Sequence, residues 1–308
     1  MPALNRMLQS FRDRDDWSRR RSYQASALRY ALRCLGAPLL HLRWLTLLDS
    51  HPGLRAAVRR DGRLIERWQH RFLRRGLGPR RTLRTLLDHF DFVSTRLPAG
   101  MLEQLYVDGR VELTEAAMKS GEPLRVLLMP PVRKGCEGEL NLALATADDT
   151  LLFSATITLV PSRRELLVGC LQGPSTEDGQ DRVRTVTRQC HGLRPKNLLL
   201  SLLYALAAEH GIRRIRGIGN ARHALARSGK VKASYDAFWL ESGGVLARDG
   251  LFDLPPSEPV RDEQEVASKH RSAFRQREAL RHELARRMIA ALSTDGARQD
   301  ADAGRAAA

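Results

Sequence analysis

Apolar residues recur at threes and fours between residues 16 and 97, in ALRYALRCLG, HLRWLTLLDSHPGLRAAVRR and RLIERWQHRFLRRGL, and this spacing predicts several helices. Gly36-Ala37-Pro38, Pro52-Gly53 and Gly76-Leu77-Gly78-Pro79 punctuate them as turns. Trp68 and Phe72 are four apart and are expected to share one helical face, with Trp44 on the helix before. After Pro98-Ala99-Gly100 the pattern changes towards strands. LRVLLM at 124–129 is a first strand, and EGELNLALA from Glu137, LLFSATITLV from Leu151 and ELLVGCLQG from Glu165 form an antiparallel meander of three. In the middle one, Phe153, Ala155, Ile157 and Leu159 point to one side and Ser154, Thr156 and Thr158 to the other.

Residues 174–190 read as a polar helix. His191-Gly-Leu-Arg-Pro-Lys-Asn197 then introduces a helix, LLLSLLYALAAEHG, that is apolar on nearly every face and so belongs in the core. Gly211 closes it at a C′ position, and IRRIRGIGN returns as a strand beside ELLVGCLQG through a strand-helix-strand connection. KVKASYDAFWLE at 230–241 reads as a further strand, turned by Gly243-Gly244, and DGLFDLPPSEP as loop. Glu263 to Leu292 forms one long charged helix, and residues 294–308 a disordered tail. The expectation is an α+β fold with a mostly antiparallel mixed sheet: an Arg-rich helical region at 1–97, a mixed core domain at 98–260, and a C-terminal helix at 261–293.

Charge changes this picture in one place. Residues 1–100 hold 21 arginines, no lysine and 8 acidic residues, so +13 of the chain's +16 sits in that third. Such a segment favours an anionic membrane surface or a nucleic acid as partner, although arginines spaced along helices are also an ordinary solvated face. No helix-turn-helix, zinc-finger or RNA-recognition signature accompanies it. The apolar runs at Leu151–Val160 and Leu198–Ala208 are too short to cross a bilayer. The start, MPALNRMLQSFRDRDDW, lacks the continuous apolar core of a secretory signal. The expected location is cytoplasmic, with a peripheral position at the inner membrane open to it. Cys34, Cys136, Cys170 and Cys190 lie far apart without a Cys-x-x-Cys pair, so they read as reduced packed thiols, with no metal site indicated.

Candidate chemistry gathers between residues 191 and 241. Arg194 and Lys196, with Asn197, stand at the mouth of the apolar helix, where two cations add to the helix-end field and suit a phosphate or carboxylate. His191, His210 and His223 each fall near an element end, where a general base would face an open sheet edge. On a strand at 230–241, Asp236, Phe238 and Leu240 take one face and Tyr235, Ala237, Trp239 and Glu241 the other, so that Tyr235, Trp239 and Glu241 share a pocket wall. Asn220, after Gly217 and Gly219, either takes a special backbone angle or binds a ligand amide. There is no His-Glu-x-x-His, Gly-x-x-x-x-Gly-Lys-Ser/Thr or Gly-x-Ser-x-Gly, which excludes zincin hydrolysis, P-loop phosphoryl transfer and a nucleophile-elbow serine.

GLRPKNLL and the helix after it, RGIGNARHA, YDAFWLESGG, LFDLPP and SKHRSAFRQREALRHEL occur in an order that resembles the VirK/YbjX family, over residues 20–293. The resemblance implies a bacterial domain of unknown function associated with virulence, envelope stress, tolerance of cationic peptides and DNA-damage-linked stress response. It assigns no catalytic residue. The succession of strands around the helix also resembles the acetyl-coenzyme A dependent N-acyltransferase superfold, which implies a coenzyme A thioester as acyl donor, pyrophosphate on a helix N-terminus, and a splayed pair of strands. Arg194-Pro195-Lys196-Asn197 stands where that superfold has a glycine-rich loop; the glycines are absent and Pro195 lacks an N–H. Tyr235 lies farther beyond Asn220 than the superfold's proton-donating tyrosine. His191, Tyr235 and Glu241 are the catalytic candidates, and Arg194, Lys196, Asn197, Asn220 and Trp239 the ligand-binding ones. Beside this stands a second reading, a non-enzymatic adaptor docking through residues 1–97.

Overall fold

Proline at the first helical position sets where three N-terminal helices begin. The computed structural model describes residues 3–11, 14, 17, 23–131, 136–174, 178–226 and 234–293. In it α1 (Ala3–Gln9) and α2 (Tyr23–Leu35) precede α3 (Pro38–Ser50), α4 (Pro52–Arg60) and α5 (Pro79–Arg96). Each proline takes a place whose N–H would have no partner in a first turn. Between α4 and α5 runs a 3-10 helix, Gly62–Gln69, capped by Asp61, which accepts from the Arg63 N–H at 3.1 Å. The shared helical face expected for Trp68 and Phe72 is therefore corrected: helical structure ends at Gln69, His70 is extended, and the two rings enter the core separately. After the turn at Pro98-Ala99-Gly100 a short helix, α6 (Met101–Val107), packs on α4, and a strand then comes ahead of the expected first one at 124–129.

Five strands follow in an antiparallel meander: β1 (Val111–Ala117), β2 (Pro123–Met129), β3 (Leu140–Ala145), β4 (Leu151–Val160) and β5 (Glu165–Gln172). The polar helix α7 (Gly179–Gln189) and the apolar helix α8 (Pro195–Glu209) lead to β6 (Arg214–Ile218), parallel to β5 as the strand-helix-strand pattern predicts. The stretch read as loop contributes β8 (Leu251–Asp253), which lies between β6 and the short β7 (Val245–Leu246). The sheet order is β1-β2-β3-β4-β5-β6-β8-β7. α10 spans Ser268–Leu292 and starts five residues later than expected, after a 3-10 turn at Glu263–Glu265. The fold is thus α+β, with a mostly antiparallel sheet, helices ahead of it and a long helix behind.

The strand expected at 230–241 is a helix, α9 (Tyr235–Glu241). Ser234 caps it by accepting from the Ala237 N–H at 3.4 Å, and Tyr235, Phe238 and Trp239 are buried at helical spacing. The two-faced assignment of its side chains falls with the strand. Residues 230–233 and the expected tail at 294–308 lie outside the described residues.

One continuous core joins these layers. Val126, Leu142 and Leu144 of the sheet share it with Trp44 and Phe90 of the N-terminal helices and with Leu284 and Met288 of α10. Every residue of β4 from Ser154 to Val160 is buried, and both α5 and α8 pack against that strand. α8 is buried along its length, from Leu198 through Leu206. α10 covers α8 and β1 with a stripe at Arg281, Leu284, Met288 and Leu292. Among the described residues no helix is long and apolar enough to cross a membrane.

Candidate functional site

The parallel strands β5 and β6 pair from Glu165 and Arg214 only as far as Val168 and Gly217, although β5 runs on to Gln172. β6 itself ends one residue on, at Ile218, and two features mark β5 beyond the pairing. Cys170 pairs with Thr156 and Val168 with Ile157, so Gly169 is an extra residue in β5, a bulge. The segment entering β3 crosses this bulge: the carbonyl oxygen of Glu137 lies 1.7 Å from where a Cβ on Gly169 would stand, a place only glycine leaves free. The Glu139 N–H donates to the Ile157 carbonyl at 2.9 Å and fastens this strap to β4.

Four buried side chains meet where the pairing ends: Glu137, Cys170, His223 and Tyr235. The Tyr235 hydroxyl is 3.2 Å from Cys170 Sγ, and its ring stacks on His223 with centroids 5.4 Å apart. His223 Nε2 is 3.1 Å from Glu137 Oε1. The Leu225 N–H donates to His223 Nδ1 at 3.1 Å, which assigns the lone pair to Nδ1 and the hydrogen to Nε2. Donor atoms of Glu137, Cys170 and His223 lie within 4.8 Å of one another, the ligand types a zinc-like cation takes. A protonated Nε2 has no lone pair for a cation; it lies toward the Glu137 carboxylate, while the Tyr235 hydroxyl meets Cys170 Sγ rather than the imidazole.

Several candidate residues from the sequence serve to hold Tyr235 in this place. Asp236 accepts from the Asn220 N–H at 2.7 Å and Asn220 accepts from the Asp236 N–H at 3.1 Å, tying the end of β6 to the first turn of α9. The Trp239 indole lies on Gly217, whose Cβ would meet the ring at 2.3 Å, and donates to the Ile218 carbonyl at 3.2 Å. Asn220 and Trp239 thus fasten α9 to β6.

At the other end of α9, about 9 Å along its axis, Glu241 bridges Arg194 and Lys196, each at 2.8 Å. Lys196 Nζ also sits 4.6 Å over the Phe238 ring, and the Asn197 N–H donates to the Arg194 carbonyl in the first turn of α8. The Lys196 hydrogen bond, helped by Arg194, holds the Glu241 carboxyl below the usual carboxylate range. A shallow hollow of about 660 Å³, bordered by Arg184, Thr187 and Arg188 of α7, opens beside Arg194. The structure brings Tyr235 together with His223, and Glu241 with Arg194 and Lys196. It places His191 in the turn between α7 and α8, where burial and then Lys119 depress its basicity, and His210 against Phe92 at the far end of α8.

The basic segment after the 3-10 helix crosses the end of the buried group. The Leu73 N–H donates to the Cys136 carbonyl at 2.9 Å, Arg75 N–H to the Arg222 carbonyl at 2.8 Å, and Arg74 forms an isolated bridge with His223. A groove of about 410 Å³ lined by His70, Arg71, Arg74, Arg75 and Ala224 lies there. Glu137 and Cys170 were not among the sequence candidates. They are 33 positions apart and share no motif, and Gly169 inside a strand is the one local trace of the close approach.

The sequence profile of the DUF535 family, described as a protein of unknown function, matches residues 19–290. The uncharacterized protein YbjX of Escherichia coli (strain K12) is 26% identical over 269 residues, covering 85% of this chain and 80% of that one. An uncharacterized protein of Haemophilus influenzae is 24% identical over 206 residues, 66% of this chain and 68% of its own. The membrane protein LapB of Mannheimia haemolytica is 35% identical over 68 residues, 22% of this chain and 30% of its own. No solved structure matches. The chain belongs to the DUF535 family, the VirK/YbjX-like proteins of unknown function.

Proposed function

We propose that this protein transfers an acyl group from a coenzyme A thioester at the carboxyl ends of β5 and β6. The observation that carries the reading is the end of this parallel pairing at Val168 and Gly217, beside a bulge at Gly169, with Glu137 at the edge of the His223 imidazole and the Tyr235 ring stacked on its face. Ligands in open sheets bind outside the carboxyl ends of parallel strands where neighbours diverge. The sheet order supports it in part: an antiparallel meander and one parallel strand after a helical crossover agree with the succession expected of the N-acyltransferase superfold, whereas a helix, α9, stands where its further strand was expected.

In the proposed step an amine or hydroxyl attacks the thioester carbonyl carbon, forming a C–N or C–O bond as the C–S bond breaks. Glu137 takes the acceptor's proton, and the Tyr235 phenol gives its proton to the departing thiolate; the proton held by Glu137 then restores the phenol. The Glu137–Glu139 strap shifts to admit the acyl end and keeps the Glu137 carboxylate at the site. Arg194, Lys196 and Asn197 hold the anionic end of the donor, taking it in place of Glu241. The family resemblance supplies the setting, acylation in envelope, virulence or stress physiology, and a relative named a membrane protein supports it.

Calorimetry with coenzyme A and acetyl-coenzyme A tests the proposal. Binding is expected, weakened at least about tenfold by Arg194→Ala with Lys196→Ala. Tyr235→Phe is expected to retain binding and lose thiol release. No heat with either ligand refutes the proposal.

A further inference from the structure

α2 is apolar on two opposite faces. Ser26, Tyr30 and Cys34 are buried against the protein, whereas Leu28, Leu32 and Leu35, at helical spacing on the other side, are 61%, 59% and 71% exposed. Leu39, the second residue of α3, is 82% exposed and extends the row across the Gly36-Ala37 turn. Isolated exposed leucines need no explanation; four in a row, with the outermost helical three spanning about 10 Å, do.

The surroundings of the row are cationic. Among the described residues from 23 to 48 there is no Asp or Glu and there are three arginines. Arg29 is exposed beside the row on α2, while Arg33 turns its guanidinium to the Gln69 carbonyl at 2.9 Å. Arg80, at the start of α5, reaches the turn and donates to the Gly36 carbonyl through Nη2 at 2.8 Å and Nε at 3.3 Å, which sets it beside Leu35 with the exposed Arg81 next to it. We infer that the Leu28-Leu32-Leu35-Leu39 row is a docking site for an anionic lipid surface, the leucines entering the acyl boundary and the flanking arginines meeting phosphate headgroups.

Charge complementarity selects this occupant. A nucleic acid would satisfy the arginines and leave four leucines in water. A second copy of this row would bury the leucines but set two acid-free arginine collars against each other. A membrane interface takes both at once, as amphipathic helices with basic flanks do. This inference is independent of the acyl-transfer reading.

The test uses the full chain with vesicles of pure phosphatidylcholine and vesicles containing phosphatidylglycerol, in a flotation assay. Binding is expected to the anionic vesicles and to fall with salt. A quadruple Leu→Gln variant at 28, 32, 35 and 39 keeps every arginine. Each leucine buried in the acyl boundary contributes roughly a tenfold change in affinity, so this variant is expected to bind at least about 100-fold more weakly while melting at the same temperature. Unaltered vesicle binding in the variant overturns the inference, as does absence of vesicle binding in the parent chain. A concentration-dependent dimer that the variant abolishes, or DNA binding of equal strength in the absence of vesicle binding, likewise replaces the lipid with another occupant.

Discussion

Gly169→Ala probes the end of the pairing between β5 and β6 most sharply. The added Cβ would stand 1.7 Å from the Glu137 carbonyl oxygen and 2.8 Å from its carbonyl carbon, both backbone atoms. Ordinary contact needs about 3.2–3.4 Å, so roughly 1.5 Å of separation has to be found. β5 cannot yield it, because its neighbours Val168 and Cys170 are both paired to β4. The strap carrying Glu137 must move, and the 3.1 Å approach of Glu137 Oε1 to His223 Nε2 opens with it. Overpacking at such a site costs about 1–3 kcal/mol. Urea unfolding should therefore show a loss of about 1–3 kcal/mol. Gly78→Ala is the control, since nothing lies within 4 Å of the new methyl and a change at a helix N-cap glycine is expected to cost below about 1 kcal/mol. A Gly169→Ala protein as stable as the control would refute the close approach of the strap and with it the geometry of the buried group.

Further outcomes follow from other contacts. Gly217→Ala meets the Trp239 indole at 2.3 Å, so the ring should leave β6 and its fluorescence shift to the red; an unshifted spectrum contradicts the packing of α9. Glu241→Gln removes the bridge between Arg194 and Lys196, both surface-reaching groups, and should change stability by less than about 1 kcal/mol in urea, while strengthening anion binding at that corner. Burial pulls His41 down to about 4 and His89 down to about 3, the latter resisted by the Leu159 N–H bond, so neither imidazole resonance should titrate between pH 7 and 5; a midpoint near 6.5 contradicts this. Between pH 6.5 and about 4 the unfolded chain binds these two protons and the folded chain does not, so stability falls with pH by about 1.4 kcal/mol per unit for each. Glu139, raised by burial to about 7 against the pull of Arg67, acts oppositely from pH 7 down to 4.5 and offsets one of the two. The net slope expected from these three groups in urea titrations is about 1.4 kcal/mol per pH unit.

Hydrophobic period and turn residues were enough to find α8, the parallel return of β6 and the three central strands. Each of these stretches has an unambiguous apolar run between clear breakers. The segment 230–241 misled because Tyr235, Phe238 and Trp239 are residues of high strand preference, while the signal that decided the matter, Ser234 ahead of Asp236, is a single cap. β7 and β8 are two and three residues long, too short to show alternation, and they exist because β6 offers an edge. The site was legible only in its parts near residue 220. Tyr235, His223, Asn220 and Trp239 sit within 20 positions of one another, whereas Glu137 and Cys170 join them through tertiary packing that no spacing encodes.

Hydrogen–deuterium exchange of the full chain with and without acetyl-coenzyme A tests the central claim most directly. The account predicts that saturating ligand alters exchange in peptides covering 136–145, 165–172 and 214–226, as the strap moves and the ends of β5 and β6 take up the acyl group, with α10 unaffected. Exchange unchanged in all three segments at saturating ligand would contradict an acyl-transfer site at the ends of these strands.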